Sequence, residues 1–377
     1  MKGKQGMVCM GLLLVLSSCH TGKQITASGL QRKDFQTEVN GQHTDLFTLS
    51  NKQGMEVCIT NYGARVVSIL VPDRNGKRED VVCGFSTITE YMEQRQNFGS
   101  TVGRYIGRIL NARFTLDGVE YKLVPNDGKS GHISHGGNAG FADRIWEVEQ
   151  ADTHRVCLSY LSPDGENGFP GNLKVTLVYS LGEDDNALDL TYEATTDAPT
   201  VLNLSHHSFF NISGNFTKSV EDQQLWVDAD RFTPYDDKKC VTGEYLPVAG
   251  TPLDFRMPHT IGECIDADHP QLKVVNGYDH TWELNTKGDD TRPAAWVYDP
   301  ASGRKMEIFT TEPGMQIYTG NGLKGKMTGK GGIAYPFRSA VCFETMHFQD
   351  SPNQPGFPST VLRPGEVFRS HTVYKFE

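Results

Sequence analysis

Four segments of this 377-residue chain carry side chains able to move protons. The first is Gly131-His-Ile-Ser-His-Gly-Gly137, with His132 and His135. The two glycines after His135 permit a tight bend that leaves its imidazole accessible, although a loop histidine is often only a hydrogen-bonding surface residue. In the second, Asn203-Leu-Ser-His-His-Ser-Phe-Phe-Asn211, His206 and His207 are adjacent. On a strand they point to opposite faces, so at most one serves a given site. The same alternation disfavours joint ligation of one metal ion, which needs same-face spacing on a strand. The third, Asn276-Gly-Tyr-Asp-His280, places Asp279 after a Gly-Tyr turn, either as a functional carboxylate or as an Asx-turn or cap. The fourth is Ala340-Val-Cys-Phe-Glu-Thr345. If this is a buried strand, Glu344 must be paired, hydrogen-bonded or functional, and desolvation would raise its pKa toward that of a useful general base. If the strand alternates, Glu344 instead faces solvent.

These groups stand without other chemical apparatus. Gly329-Lys-Gly-Gly332 lacks the spacing of a phosphate-binding loop, and there is no Gly-x-Ser-x-Gly elbow. The eight cysteines (Cys9, Cys19, Cys58, Cys83, Cys157, Cys240, Cys264 and Cys342) form no C-x-x-C pair and no zinc-like cluster with histidine. An exported chain could still close one bridge among the last six. The net charge of −10 argues against nucleic acid as a partner. What remains is acid–base chemistry by His and Glu, with no metal and no cofactor expected.

The elements that must position these groups read as strands. Val66–Val71 is a β-branched apolar run. In Phe114–Leu123 an Asp117-Gly118 pair separates two alternating segments, a hairpin signal because a type I′ turn needs positive φ. Leu173–Leu181 and Leu188–Ala194 alternate across a polar turn; Met306–Phe309 and Met315–Tyr318 read as short strands, and Val341–Thr345 as a central one. No long stretch shows helical periodicity, and 39 glycines and 18 prolines punctuate the chain. The reading is all-β: one large antiparallel β-sandwich over residues 35–377.

Ahead of it, Lys2 and Lys4 precede an apolar run, Met7–Leu16, and then Leu16-Ser-Ser-Cys19. Residues 1–19 have the form of a bacterial signal peptide of lipoprotein type, with Cys19 as the lipidated residue. The expectation is an exported protein, periplasmic or held to a membrane only through that lipid. Residues 20–34 are polar and aperiodic and read as a tether.

From about residue 35 onward the chain resembles the aldose 1-epimerase (galactose mutarotase) family. The likeness lies in Asn61-Tyr-Gly-Ala64, Gly103-Arg-Tyr-Ile-Gly-Arg-Ile109, His135-Gly-Gly137, Ser162-Pro-Asp-Gly165, Gly168-Phe-Pro-Gly171 and the His206-His207 segment. It continues through Gly277-Tyr-Asp-His280, Pro313–Asn321, Glu344-Thr345, Asn353-Gln-Pro355 and Leu362–Glu366. The resemblance implies the large sandwich of that family, the galactose mutarotase-like supersandwich, and interconversion of the α and β anomers of free aldohexoses such as galactose and glucose. By position it makes Glu344 the general base, His207 the general acid and His135 a residue that orients the sugar. Arg108, Asp279 and Gln316 become sugar contacts. Two departures stand out. Gly107 occupies a position where the family often has asparagine, and Gly131-His-Ile-Ser134 is slightly long, which leaves His132 a competitor of His135.

The chemistry accounts for the set. Anomers exchange when the C1 hydroxyl loses a proton, the ring oxygen gains one, the ring opens and it recloses on the other carbonyl face. Reference pKa values of ~4.3 and ~6.5 supply a carboxylate base and a partly protonated imidazole near neutral pH. A sugar-phosphate epimerase would need a basic cluster, whereas only Arg108 is firmly placed. A glycosidase usually needs two carboxylates. A non-catalytic sugar-binding lipoprotein would be expected to lack the acid–base set. The expected partner is a small aldose, and the chain is expected to act as a monomer.

Overall fold

The computed structural model describes residues 24–377. The signal-peptide residues, Cys19 and residues 20–23 of the expected tether lie outside the described residues.

Alternating apolar residues build three principal antiparallel sheets. The largest has nine strands, ordered Glu147–Ala151, Arg155–Ser162, Leu173–Leu181, Ala187–Thr196, Phe368–Phe376, Lys305–Thr310, Ala295–Tyr298, Gln224–Val227 and His259–Thr260. A six-stranded sheet runs Phe209–Phe210, Val341–Met346, Gly314–Tyr318, Asp279–Glu283, Arg231–Thr233 and Leu246–Pro247. A four-stranded meander covers Leu46–Ser50, Glu56–Thr60, Arg65–Pro72 and Arg78–Asp80. The main core joins all three: Leu177, Leu190 and Tyr374 from the first, Trp282, Ile317 and Phe343 from the second, Val57 and Ile69 from the third. Each such side chain, fully buried, contributes on the order of 1.5–3 kcal/mol. The expected hairpin is present, with Leu116 paired to Val119 across Asp117 and Gly118, both at positive φ. Helix is confined to short segments such as Ile88–Gln94, closed at its start by a Thr87–Glu90 capping box.

Residues 24–34, within the span read as a tether, make contacts with the domain. Ile25 bridges to Gln31, Leu30 is buried, and the Ala27 amide donates to the Glu56 carboxylate at 2.6 Å. Arg32 pairs with Asp45 as the chain enters a short 3-10 turn, Arg32–Phe35. Its contacts to Glu56 come from backbone amides, while Gln24, Gln31 and Lys33 stay exposed, so its composition is that of a solvated linker.

Buried arginines tie the loops together. Arg104 donates to Pro170 O at 2.7 Å, Gly171 O at 3.0 Å and Ser162 Oγ at 2.6 Å, which pins two of the Gly/Pro motifs to the Gly103–Ile109 segment. Arg65 donates to Gln96 O, Phe98 O and Ala142 O. The six described cysteines are free thiols, three of them buried. Among the described residues no helix is long and apolar enough to cross a membrane.

Candidate active site

The two-residue period of the six-stranded sheet builds the site. On Val341–Met346, Val341 and Phe343 join the core, so Cys342, Glu344 and Met346 face the other way. On Gly314–Tyr318, Met315 and Ile317 are core, which leaves Gln316 and Tyr318 on that same outer face. On Asp279–Glu283, Trp282 is core and Asp279 and Thr281 are not. The register then aligns the outward set: Gln316 lies opposite Glu344, Thr281 opposite Gln316, and Asp279 opposite Tyr318.

A short pair, Ser205–His207 against Ser100–Val102, lays His207 over this face. His207 Nε2 is 3.4 Å from Glu344 Oε1. The two residues are 6% and 3% exposed, and Phe209 stacks on the imidazole at 5.0 Å. His206 points the opposite way, into the core, with Nε2 2.6 Å from Ser208 Oγ; burial pushes its pKa down to about 3. The expected split of the two histidines is what the strand delivers.

His135 is set by backbone. Ser134 pairs with Arg108, the His135 amide donates to Gly107 O at 3.0 Å, and His135 itself sits at φ 52°. Gly136 must be glycine: a Cβ there would lie 1.9 Å from Gly103 O. The Gly107 amide approaches His135 Nδ1 at 3.4 Å, which leaves Nε2 to carry the proton. Burial, reinforced by Arg108, lowers the His135 pKa to about 4, so it is a neutral hydrogen-bonding group near pH 7. The ring meets His207 edge-on at 5.4 Å. His132 is not a competitor. Its Nδ1 accepts from the Asn111 amide at 2.9 Å and its Nε2 is 3.2 Å from Cys240 Sγ, away from the cavity.

These groups line a cavity of about 240 Å³ together with Arg108, Asp279 and Gln316. That is below the ~300–1,000 Å³ of drug-sized sites and suits a single sugar ring. Arg108 Nε donates to Asp127 at 2.7 Å. Asp279 is not an Asx-turn residue; it starts a strand and accepts from Gln316 Nε2 at 2.6 Å. Burial raises its pKa, partly offset by Arg108 and by the Gln316 bond. All six sequence candidates therefore meet in one cavity. The sequence reading missed Asn97, Tyr318 and Gln349, which also line it. Tyr318 was available from alternation, two residues after Gln316; Asn97 and Gln349 arrive on loops that carry no periodic signal.

The Glu344–His207 pair is the chemical centre. Desolvation, with the Asp279 charge adding to it, holds the Glu344 carboxyl well above the usual range. Burial, with His135 acting in the same direction, holds His207 well below its usual value. Neither group gains by charging alone, so together they hold one proton over a wide pH range. Those directions favour the proton on Glu344, and the 3.4 Å contact lets it pass to His207, the form that sets a base beside an acid. Ligand atoms of His207, Cys342 and Glu344 lie within 4.8 Å of one another, a spacing that could hold a metal ion. Burial and the Glu344 charge hold the Cys342 thiol protonated, which favours proton chemistry over ligation.

Comparisons with known proteins agree with this geometry. Residues 45–375 match the model of the aldose 1-epimerase family. The chain is 38% identical over 330 residues to the galactose mutarotase of Sus scrofa, covering 88% of this chain and 93% of that one. It is 36% identical over 339 residues to the aldose 1-epimerase of Escherichia coli K12, covering 89% and 96%. A solved aldose epimerase homologue from C. elegans superposes with a TM-score of 0.81 at 31% identity, over 89% of this chain and 99% of that one.

Proposed function

The chain belongs to the aldose 1-epimerase family, and from that premise we propose how its cavity interconverts the anomers of free aldohexoses, galactose and glucose among them. The observation that carries the reading is the buried His207–Glu344 contact of 3.4 Å at the cavity wall. C1 of a pyranose bears both O1 and the ring oxygen O5, so a base and an acid acting on them must lie within a few ångströms of each other. Glu344 accepts the proton of O1 while His207 donates one to O5. The C1–O5 bond breaks as C1 becomes an aldehyde carbon. Rotation about C1–C2 presents the other carbonyl face. O5 then returns its proton to His207 as it attacks C1, and the carbonyl oxygen regains one from Glu344. No net proton is consumed.

His135, neutral, donates from Nε2 to orient the ring. Arg108, Asp279 and Gln316 bind hydroxyls, the first as a donor and Asp279 as a charged acceptor. Each proton-transfer group contributes roughly 10²–10⁴-fold.

The N-terminal pattern supports a second part of the proposal, that the enzyme is exported and tethered by lipid at Cys19.

Polarimetry of freshly dissolved α-D-galactose and α-D-glucose tests the activity. Wild type shortens equilibration, and Glu344→Gln loses roughly 10²–10⁴-fold in kcat while still binding sugar. If Glu344→Gln kept most of its turnover, the base would be another residue.

A further inference from the structure

Gly107 sits at φ +74°, and a Cβ built on it would lie 2.6 Å from Gln349 Cγ and 3.1 Å from Gln349 Cδ. The Gln349 side chain thus fills the volume that any larger residue at 107 would claim. Gln349 is 4% exposed and lines the sugar cavity beside Arg108 and Gln316. Its Nε2 donates to Tyr235 Oη at 2.7 Å and lies 3.3 Å from Gln316 Oε1, while its Oε1 accepts from the Arg108 amide at 3.2 Å. Both amide protons are therefore engaged within the protein, and Oε1 keeps one acceptor site. The carboxamide is locked at the cavity wall by groups on three separate segments, a preorganisation that packing alone would not require.

We propose that Gln349 is a sugar-binding, specificity-setting residue: its Oε1 accepts a hydrogen bond from one ring hydroxyl of the aldose, delivered from the loop after the Glu344 strand into space left open by Gly107. The inference rests on the proposed function of the same cavity. It also gives position 107 a reason. With no Cβ at 107, the volume beside it is occupied by the Gln349 side chain.

The test uses the full-length protein, with wild type, Gln349→Ala, Gln349→Met, Gly107→Asn and the double variant Gly107→Asn/Gln349→Ala. Each is assayed by polarimetry on glucose, galactose and their monodeoxy analogues. Wild-type turnover checks the parent reading; only the pattern among variants checks this one. Gln349→Met preserves volume and removes the acceptor. It should raise KM about 5- to 15-fold for the hexoses, with kcat held within about threefold. For one monodeoxy analogue the wild-type KM should already be raised, and Gln349→Met should add nothing. Gly107→Asn alone should be impaired by its clash with Gln349. The double variant should recover, since asparagine tolerates positive φ and brings back a carboxamide. A wild-type KM in Gln349→Met on every aldose would overturn the proposal. So would a KM rise of equal size on every analogue, which would make Gln349 a packing residue only. If Gln349→Ala fails to fold, the methionine variant and the deoxy series decide.

Discussion

Replacing Asp279 with asparagine should move the whole pH–rate profile toward acid. Asp279 and Glu344 lie on the same sheet face, two strands apart, because Asp279 pairs with Tyr318, Tyr318 with Cys342, and Glu344 follows Cys342 by two. Two inter-strand spacings of ~4.8 Å and two residues of ~3.4 Å rise separate the backbones by about 12 Å, with the carboxylates about 10 Å apart. At an effective dielectric of ~20 the Asp279 charge is worth about 1.7 kcal/mol at Glu344, or roughly 1.2 pH units. The sign follows from which forms the negative charge favours. It raises the Glu344 pKa, favours the doubly protonated Glu344–His207 pair over the singly protonated one, and disfavours loss of the last proton. Both limbs of the kcat/KM profile therefore lie higher in wild type, and both fall in Asp279→Asn by about one unit, less whatever Arg108 screens. KM should rise as well, since a charged acceptor for sugar is lost. The assay is polarimetric kcat/KM from about pH 4 to 9 for both proteins. An acidic limb that stays in place or moves upward would refute the assignment of that limb to the pair, and with it the electrostatic coupling.

Gly136→Ala should cut kcat/KM about 100-fold, because relief of the 1.9 Å contact with Gly103 O must displace His135; an unchanged kcat/KM would argue against that displacement. Removing residues 1–30 should destabilise the protein by roughly 2–4 kcal/mol in urea, since Leu30 leaves its buried site and Glu56 loses the Ala27 and Ser28 amides. An unchanged midpoint would return that segment to the role of linker. Cys19→Ser should abolish incorporation of labelled palmitate and release the protein from the membrane fraction; persistent labelling would place the anchor elsewhere.

Much of this site could be read from the chain because it rests on strands. Alternation predicts that His206 and His207 separate, and they do, one toward Tyr179 and Tyr374 and the other toward Glu344. At Glu344 the same alternation left two faces open. The structure chooses by placing the non-core face under His207 and Phe209 rather than in water, a long-range pairing that no local pattern encodes. The choice between His132 and His135 likewise depended on the Ser134–Arg108 register. In residues 24–34 the contacts come from the Arg32 side chain and the Ala27 and Ser28 amides, and backbone amides leave no trace in composition. Gln349 was invisible because its partners, Tyr235, Gln316 and the Arg108 amide, are distant in the chain and meet it only in the fold.

The strands that hold the site also carry the core, and this sets what the pair can do. Phe343 and Glu344 are neighbours on one strand, one fixed by Tyr374, whose hydroxyl donates to the Phe343 carbonyl at 3.0 Å, the other facing His207. Met315 and Ile317 bracket Gln316 in the same way. Displacing either proton-transfer group would require unpacking core residues, each worth on the order of 1.5–3 kcal/mol. The acid and base are thus held in place by burial energy unrelated to the substrate. That same burial denies each a separate charge, so the proton they share must pass through the sugar's two oxygens when one lies between them.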